Sequence, residues 1–282
     1  MNQGHLTNFD HHVEYSHTRG DIPKIDFHLH DRCELYFLLA GDVRYFVEKN
    51  IYPLSVGDFI MTNPDEIHTP AFASAATYER IFIQLDPRYI SQFDSGSYQL
   101  LRCFYDRKKG ENNKIPLTKV ETAELAMLFK RYEQLVKSPP PAANQLKLCC
   151  LIEILVFINQ RFADHKNHNL SFEVHQKLSP VLDYIDHHLN EDLSLNTLEK
   201  ELFINKYYLS KLFKKHIGST LHEYIIYKRL SMAKRYLIEG CSVAEAQEKS
   251  GFTDYTSFLK MFKRTVGILP KDYAQHGAAL GE

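Results

Sequence analysis

The chain lacks the compositional marks of several familiar classes. Lysine and arginine number 34 against 35 aspartates and glutamates, so the formal net charge is −1. The strong basic excess that advertises nucleic-acid binding is missing. The five cysteines, Cys33, Cys103, Cys149, Cys150 and Cys241, are odd in number and form no Cys-x-x-Cys pair. Neither a disulfide framework nor a zinc finger is expected. The N-terminal residues Met-Asn-Gln-Gly-His hold no basic region leading into an apolar run, and no apolar stretch approaches the length of a membrane span. A cytoplasmic location with no membrane partner is expected. What is present is a chain of 282 residues, 44% hydrophobic and 24% charged. That suits a soluble globular protein of two domains with a real core.

The most informative stretch runs from Gly251 to Tyr273. A glycine turn leads into a helix whose apolar residues Phe258, Met261, Phe262 and Val266 share one face. The opposite face carries Tyr255, Thr256, Ser257, Lys260, Lys263 and Arg264. Hydroxyls and cations are the groups that reach base edges and phosphates in a DNA groove. Gly267 stops the helix, and Pro270 is expected to prevent its resumption. Alone, this pattern is an ordinary amphipathic surface helix.

A second copy changes its meaning. Leu209, Leu212, Phe213, Ile217 and Gly218 repeat Phe258, Met261, Phe262, Val266 and Gly267 at a constant offset of 49 positions (209 to 258, 218 to 267). Lys211, Lys214 and Lys215 match Lys260, Lys263 and Arg264. A short helix precedes each copy, one beginning at Ser194 and one at Ser242, where Glu245 completes a capping box. Helix, tight turn, helix with a basic outer face is the helix-turn-helix plan. Residues 178–275 hold 14 Lys and Arg against 12 Asp and Glu, a net of +2. The DNA reading therefore rests on where the charges sit. Leu221 to Ile238 reads as one uninterrupted helix that spaces the two units.

Residues 1–100 look all-β. Apolar runs at Leu35–Ala40, Val43–Val47, Ile51–Leu54, Phe59–Thr62 and Tyr78–Leu85 alternate with turn residues, as in a sandwich or barrel. His28-x-His30-x-x-x-Glu34, followed by Pro64-x-x-x-His68, offers three imidazoles and a carboxylate, donors suited to a divalent metal. The pattern resembles the two motifs of the cupin family, a small jelly roll. It departs in lacking a glycine between the proline and the histidine, and in having Phe72 where asparagine is usual. Pocket lining is the preferred reading of these side chains, with no metal and no cofactor expected; a metal held by His28, His30, Glu34 and His68 is the alternative. Two helical stretches follow. Leu125 to Val136 forms one apolar stripe, and Leu146 to Phe162 is apolar over most of its circumference, which requires cover from several sides. The barrel and a partner subunit would supply it, or burial within one subunit would. Residues 164–177 are polar and read as a linker.

With these residues in view, the chain resembles the AraC/XylS family of bacterial transcription regulators. Gly251-Phe252-x-Asp254, Phe258-x-Lys260-x-Phe262-Lys263-Arg264, Gly267 and Pro270-x-x-Tyr273 fall in the family's signature order, and Leu209-Ser210-Lys211-Leu212-Phe213-Lys214-Lys215 with Gly218 matches its first unit. The resemblance implies an α+β fold: an N-terminal cupin-like β-barrel (jelly roll), then helices, then an all-α C-terminal domain with two helix-turn-helix units. The expected domains are 1–100, an effector-binding barrel; 101–163, a helical dimerisation segment; 164–177, the linker; and 178–275, the DNA-binding domain. The implied function is sequence-specific DNA binding by a transcription regulator, not an enzyme. It would respond to a small effector, work as an activator on promoter DNA with RNA polymerase, and form a homodimer through 118–163.

Carried over residue by residue, the first recognition helix would use Lys206, Tyr207, Ser210 and Lys211 and the second Thr256, Ser257 and Lys260, with Tyr255 a further DNA-binding candidate on the second. Lys214, Lys215, Lys263 and Arg264 suit phosphates. Effector candidates are His28, His30, Glu34, Tyr36, His68 and Arg80, a polar set that suits a carbohydrate. The sequence departs from the family at Glu199 and Gln247, where alanine is usual, and at Phe203, where a turn glycine is common. A metal-dependent cupin enzyme with a helical appendage is one alternative, and a regulator controlled by a protein partner is another.

Overall fold

The computed structural model describes residues 4–9, 12–20, 27–72, 77–165, 172–173 and 177–278. The fold is α+β, and the chain divides into two compact units. One holds residues 1–24, 32–66 and 72–172; the other holds 25–31, 67–71 and 173–282. Most of the 164–177 stretch read as a linker lies outside the described residues.

The strands are β1 (Gly4–Phe9), β2 (Val13–Gly20), β3 (Cys33–Ala40), β4 (Val43–Val47), β5 (Asn50–Leu54), β6 (Phe59–Thr62), β7 (His68–Phe72) and β8 (Tyr78–Leu85). In the first unit a five-stranded sheet runs in the order β1-β2-β8-β3-β6, with every neighbouring pair antiparallel. Alternation along each strand divides its side chains between two cores. Leu35 and Phe37 of β3, Phe59 and Met61 of β6, and Ile81, Ile83 and Leu85 of β8 enter one core. Tyr36 and Leu38, Ile60, and Tyr78 of the same strands enter the other, together with Val43, Tyr45 and Val47 of β4 and Tyr52 and Leu54 of β5. β4 and β5 form a hairpin closed at Val47↔Asn50.

Short helices α1 (Pro87–Ser91) and α2 (Arg102–Tyr105) lead to two long ones, α3 (Lys119–Lys137) and α4 (Ala143–His165). Thr118 and Glu121 start α3 with a capping box. α3 and α4 cover the sheet: the Phe37 and Phe129 rings stack with centroids 5.0 Å apart, and Tyr15 lies 5.3 Å from Tyr132. Cys150, Leu151, Ile154, Leu155, Phe157, Ile158 and Phe162 of α4 are buried in this same core. The apolar circumference of α4 is thus largely covered within the chain. Asn159 is the polar exception; its side chain accepts from the Cys103 N–H and donates to the Leu100 carbonyl, both at 2.8 Å.

A buried ion pair pins the turn at 63–66. Arg107 donates twice to the Glu66 carboxylate, each bond 2.6 Å, and both side chains are fully buried. Gly110 N–H and Asn113 also donate to Glu66, so both its oxygens are satisfied.

The second unit is built on helices α5 (Ser179–His187), α6 (Leu195–Leu202), α7 (Lys206–Ile217), α8 (Leu221–Ile238), α9 (Val243–Lys249), α10 (Tyr255–Val266) and α11 (Pro270–Ala278). Pro270 does not end the helical run: it opens α11. Proline lacks only an N–H that has no intrahelical partner in the first turn. The segments 25–31 and 67–71 also belong to this unit, and bridge each other through reciprocal His28–His68 backbone hydrogen bonds.

Candidate nucleic-acid interface and ligand residues

The sequence repeat is also a structural repeat. α7 and α10 each have 12 residues, and their first and last residues (206 and 255, 217 and 266) keep the offset of the apolar pattern. Each begins at a side-chain cap. Asn205 accepts from the Tyr207 and Tyr208 N–H groups, and Asp254 accepts from Ser257 N–H at 2.6 Å. Each ends at a left-handed glycine, Gly218 (φ 92) and Gly267 (φ 90), whose N–H returns to Lys214 and Lys263 respectively. The inner faces are Leu209, Leu212, Phe213 and Ile217 in α7, and Phe258 and Phe262 in α10. Hydrogen bonds from Ser257 hold the Asp254 carboxyl below the usual carboxylate range, so the cap stays charged and favours the positive end of α10.

The outer faces carry the expected groups. Tyr207, Ser210, Lys211, Lys214 and Lys215 are exposed on α7, and Tyr255, Thr256, Ser257, Lys260, Lys263 and Arg264 on α10. Lys206 differs from the rest. It is half-buried, and its ammonium donates to Asn196 Oδ1 at 2.7 Å and lies 4.0 Å from Glu199. The structure commits it to α6. Lys214 and Lys215, like Lys263 and Arg264, stand in a last helical turn, where cations also complement the helix dipole.

The turns between the paired helices explain the departures from the family pattern. Glu199 accepts from the Asn205 side chain and from Lys206 N–H at 3.0 Å. Gln247 donates to the Phe252 carbonyl. In both units a longer side chain replaces a small one and ties the first helix to its own turn. Phe203 takes the left-handed conformation (φ 52), and its side chain is 94% exposed. Gly251 has φ 85, and a Cβ there would run into the Leu189 carbonyl and lie 2.9 Å from Asn190 Cα. Arg229 of α8 donates to Leu189 and Glu191 carbonyls beside it. The second turn is therefore packed against the loop after α5, whereas Phe203 points into solvent. Sequence reading placed Phe203 at a turn and did not single out Tyr208; both are exposed aromatics beside the first helix.

The candidate ligand residues fall into two sets. Glu34, Tyr36 and Arg80 belong to the first unit, and His28, His30 and His68 to the second. In the first set Glu34 accepts from Tyr45 (3.1 Å) and Gln84 (2.8 Å). The Tyr36 and Tyr78 hydroxyls lie 2.7 Å apart, and the Arg80 guanidinium sits 4.3 Å over Phe82 and 5.6 Å over Tyr36. Burial pushes the Tyr78 phenol up to about 12 and the Tyr36 and Tyr45 phenols well above their ordinary value. All three stay protonated and able to donate. Tyr45, Tyr78 and Gln84 are members of this network that sequence reading did not select. Their strand alternation was available, but the register that joins them was not. In the second set the His30 and His28 rings lie 5.0 and 5.7 Å from His68.

Residues 11–139 match the family described as the AraC-like ligand binding domain, and residues 198–276 match a helix-turn-helix domain. The regulatory protein PocR of Salmonella typhimurium is 33% identical over 100 residues, covering 35% of this chain and 33% of that protein. An HTH-type transcriptional regulator of Staphylococcus aureus is 23% identical over 263 residues, covering 91% of this chain and 33% of that protein. The chain thus spans about a third of the length of these curated relatives. Among solved structures, ToxT from Vibrio cholerae is 14% identical with a TM-score of 0.38, covering 94% of this chain and 98% of that one. Among the described residues no helix is long and apolar enough to cross a membrane.

Proposed function

We propose that the chain, which matches an AraC-like ligand binding domain and a helix-turn-helix domain, is an AraC-family transcription regulator that grips promoter DNA through α7 and α10 and responds to a small ligand. The observation that carries the reading is the coincidence of the two helices: the same length, a side-chain N-cap and a left-handed glycine stop on each, and apolar and basic positions that recur at one offset. An accidental amphipathic helix has no reason to recur with its cap and its stop. Two such helices separated by α8, an unbroken helix of 18 residues, suit two successive major grooves. Ser210, Lys211, Thr256, Ser257 and Lys260, with Tyr207 and Tyr255, face bases. Lys214, Lys215, Lys263 and Arg264 hold phosphates and set the salt dependence.

The ligand is a polar molecule, and a carbohydrate fits best. The support is chemical: Glu34, the tyrosine hydroxyls and Arg80 offer both acceptors and donors beside aromatic faces. The family match sets the chain among regulators rather than metal-dependent enzymes. In this reading residues 1–100 form the effector barrel and 101–163 its helical extension. Residues 164–177 link it to the DNA-binding domain at 178–275, two subunits associate through 118–163, and RNA polymerase is the downstream partner. The test is enrichment of duplex sequences from a random pool by the full chain, followed by anisotropy titration of the winners. A defined motif bound much more tightly than scrambled DNA is expected; equal affinity for both refutes the reading. A thermal-shift screen of small carbohydrates tests the ligand class, since a ligand of the folded state raises the melting temperature.

A further inference from the structure

The turn between α6 and α7 carries a side chain for which the fold has no use. Phe203 takes the left-handed conformation (φ 52), and its side chain is 94% exposed. Both features are unfavourable in the free protein. A side chain disfavours that backbone region, and an aromatic ring left in water forfeits its burial. The second unit shows the alternative. Phe252 stands at the same offset of 49 positions (203 to 252), three residues before α10 as Phe203 is before α7. There the residue with positive φ is Gly251, and the Phe252 ring packs 5.1 Å from that of Phe258 on the inner face. One phenylalanine joins the core; its counterpart faces solvent.

The place of the exposed ring indicates what it meets. Recognition helices present their N-terminal residues to base edges, and Phe203 lies just before that end of α7. Four positions separate it from Tyr207, so their Cα atoms are at most about 14 Å apart. That is close to the width of the major groove, about 12 Å. With Tyr207 at the bases, Phe203 falls at the edge of the groove. The neighbouring groups fit nucleic acid. Tyr207 and Tyr208 are exposed in the first turn of α7, with the Lys206 ammonium 5.5 Å over the first ring and the Lys177 ammonium 5.0 Å over the second. Glu199, a carboxylate of α6, is engaged by the Asn205 side chain and Lys206 N–H. Aromatic faces beside cations suit a partner that offers apolar carbon and phosphate together.

We propose that Phe203 is a DNA contact of the first unit, packing its ring on apolar carbon at the groove edge, either thymine methyl groups or deoxyribose. The proposal rests on the regulator reading above and adds to it a residue of a different kind. Lysines hold phosphates and release counterions. A ring on carbon releases none, so it adds affinity without adding salt dependence. The free chain bears a strained, exposed turn, and the bound state recovers that cost by burying the ring.

The test uses the full chain and the duplex enriched by the wild type, titrated by anisotropy at several salt concentrations. Phe203→Gly and Phe203→Asn both suit a left-handed turn. Each is expected to weaken binding by on the order of tenfold, with the slope of log Kd against log salt unchanged. Lys214→Ala, at a phosphate position, is expected to lower that slope by about 1. Phe203→Leu, which keeps apolar surface, is expected to stay within about threefold of the wild type. Thermal melts at or above the wild-type temperature for Phe203→Gly show that its loss of affinity is not a loss of fold. Deoxyuridine in place of thymine identifies the carbon. A wild type weakened by that exchange to the level of Phe203→Gly assigns the ring to the methyl groups; a wild type indifferent to it, with the variant still weaker, assigns it to deoxyribose. Gly and Asn variants that bind as tightly as the wild type overturn the proposal and leave the DNA reading intact, and a reporter gene silenced by those same variants would then give the ring to a protein partner. If the wild type enriches no sequence, the regulator reading falls and this contact with it.

Discussion

Gly251 and Phe203 occupy corresponding turns with the same sign of φ and opposite consequences. Gly251 is locked in by backbone on its open side, so Gly251→Ala is expected to cost on the order of 2–3 kcal/mol from strain and displacement. Phe203 holds a left-handed conformation that disfavours a side chain, and its ring contributes little burial at 94% exposure. Phe203→Gly is expected to stabilise by about 1 kcal/mol. Denaturant titrations of the two variants check both signs. At the buried pair, Arg107→Ala strands the Glu66 carboxylate and is expected to cost about 3–5 kcal/mol. The sequence marked Gly251 and Phe203 as turn positions. It gave no hint of Glu66 with Arg107, because 41 positions separate them and only the fold brings them together.

Periodicity governed what was legible among the elements. The spacing of apolar residues placed α3, α8, α7 and α10 closely, and β4 and β6 to the residue. β1, β2 and β7 were not foreseen. Val13-Glu-Tyr-Ser-His-Thr-Arg-Gly has no apolar run, and its extended form is fixed by pairing with β8 over the full length of the strand. Attachment of α3 to this sheet has an electrostatic part. His17 of β2 lies with its ring nitrogens 2.9 Å from Glu133 of α3 and from Glu79 of β8. Burial alone raises the Glu133 carboxyl, but hydrogen bonds from Lys137 and His17 outweigh it and hold the group below the usual carboxylate range. A depressed folded-state value means stability that is complete above the ordinary value of 4.5 and is lost as pH falls through the folded one. Glu133→Gln is therefore expected to flatten the acid limb of the stability profile, read by thermal melts across that range. A profile of unchanged slope contradicts the assignment.

For the molecule as a whole, the two-part organisation was legible because each part has its own periodicity, two-residue alternation in the first and 3.6-residue spacing in the second. The division of the ligand candidates was not. His28, His30 and His68 sit in the β-rich part of the sequence, yet belong by contact to the helical unit; no local pattern encodes such a crossing. Association is also a property of this scale. α4 is largely covered inside the chain, so a dimer through 118–163 relies on the outer faces, where Val120 and Met127 of α3 are exposed. Sedimentation of the full chain at micromolar concentration is expected to give a dimer, and Met127→Glu a monomer.

The central claim is that α10 reads DNA. Its most direct measurement compares Lys260→Ala, on the outer face of α10, with Lys271→Ala, at another exposed lysine, on α11. Both are titrated by anisotropy against the enriched duplex. Lys260→Ala is expected to weaken binding by on the order of tenfold, about 1–2 kcal/mol, and Lys271→Ala to leave it within about twofold. Equal losses in the two variants contradict the assignment of α10 to the groove.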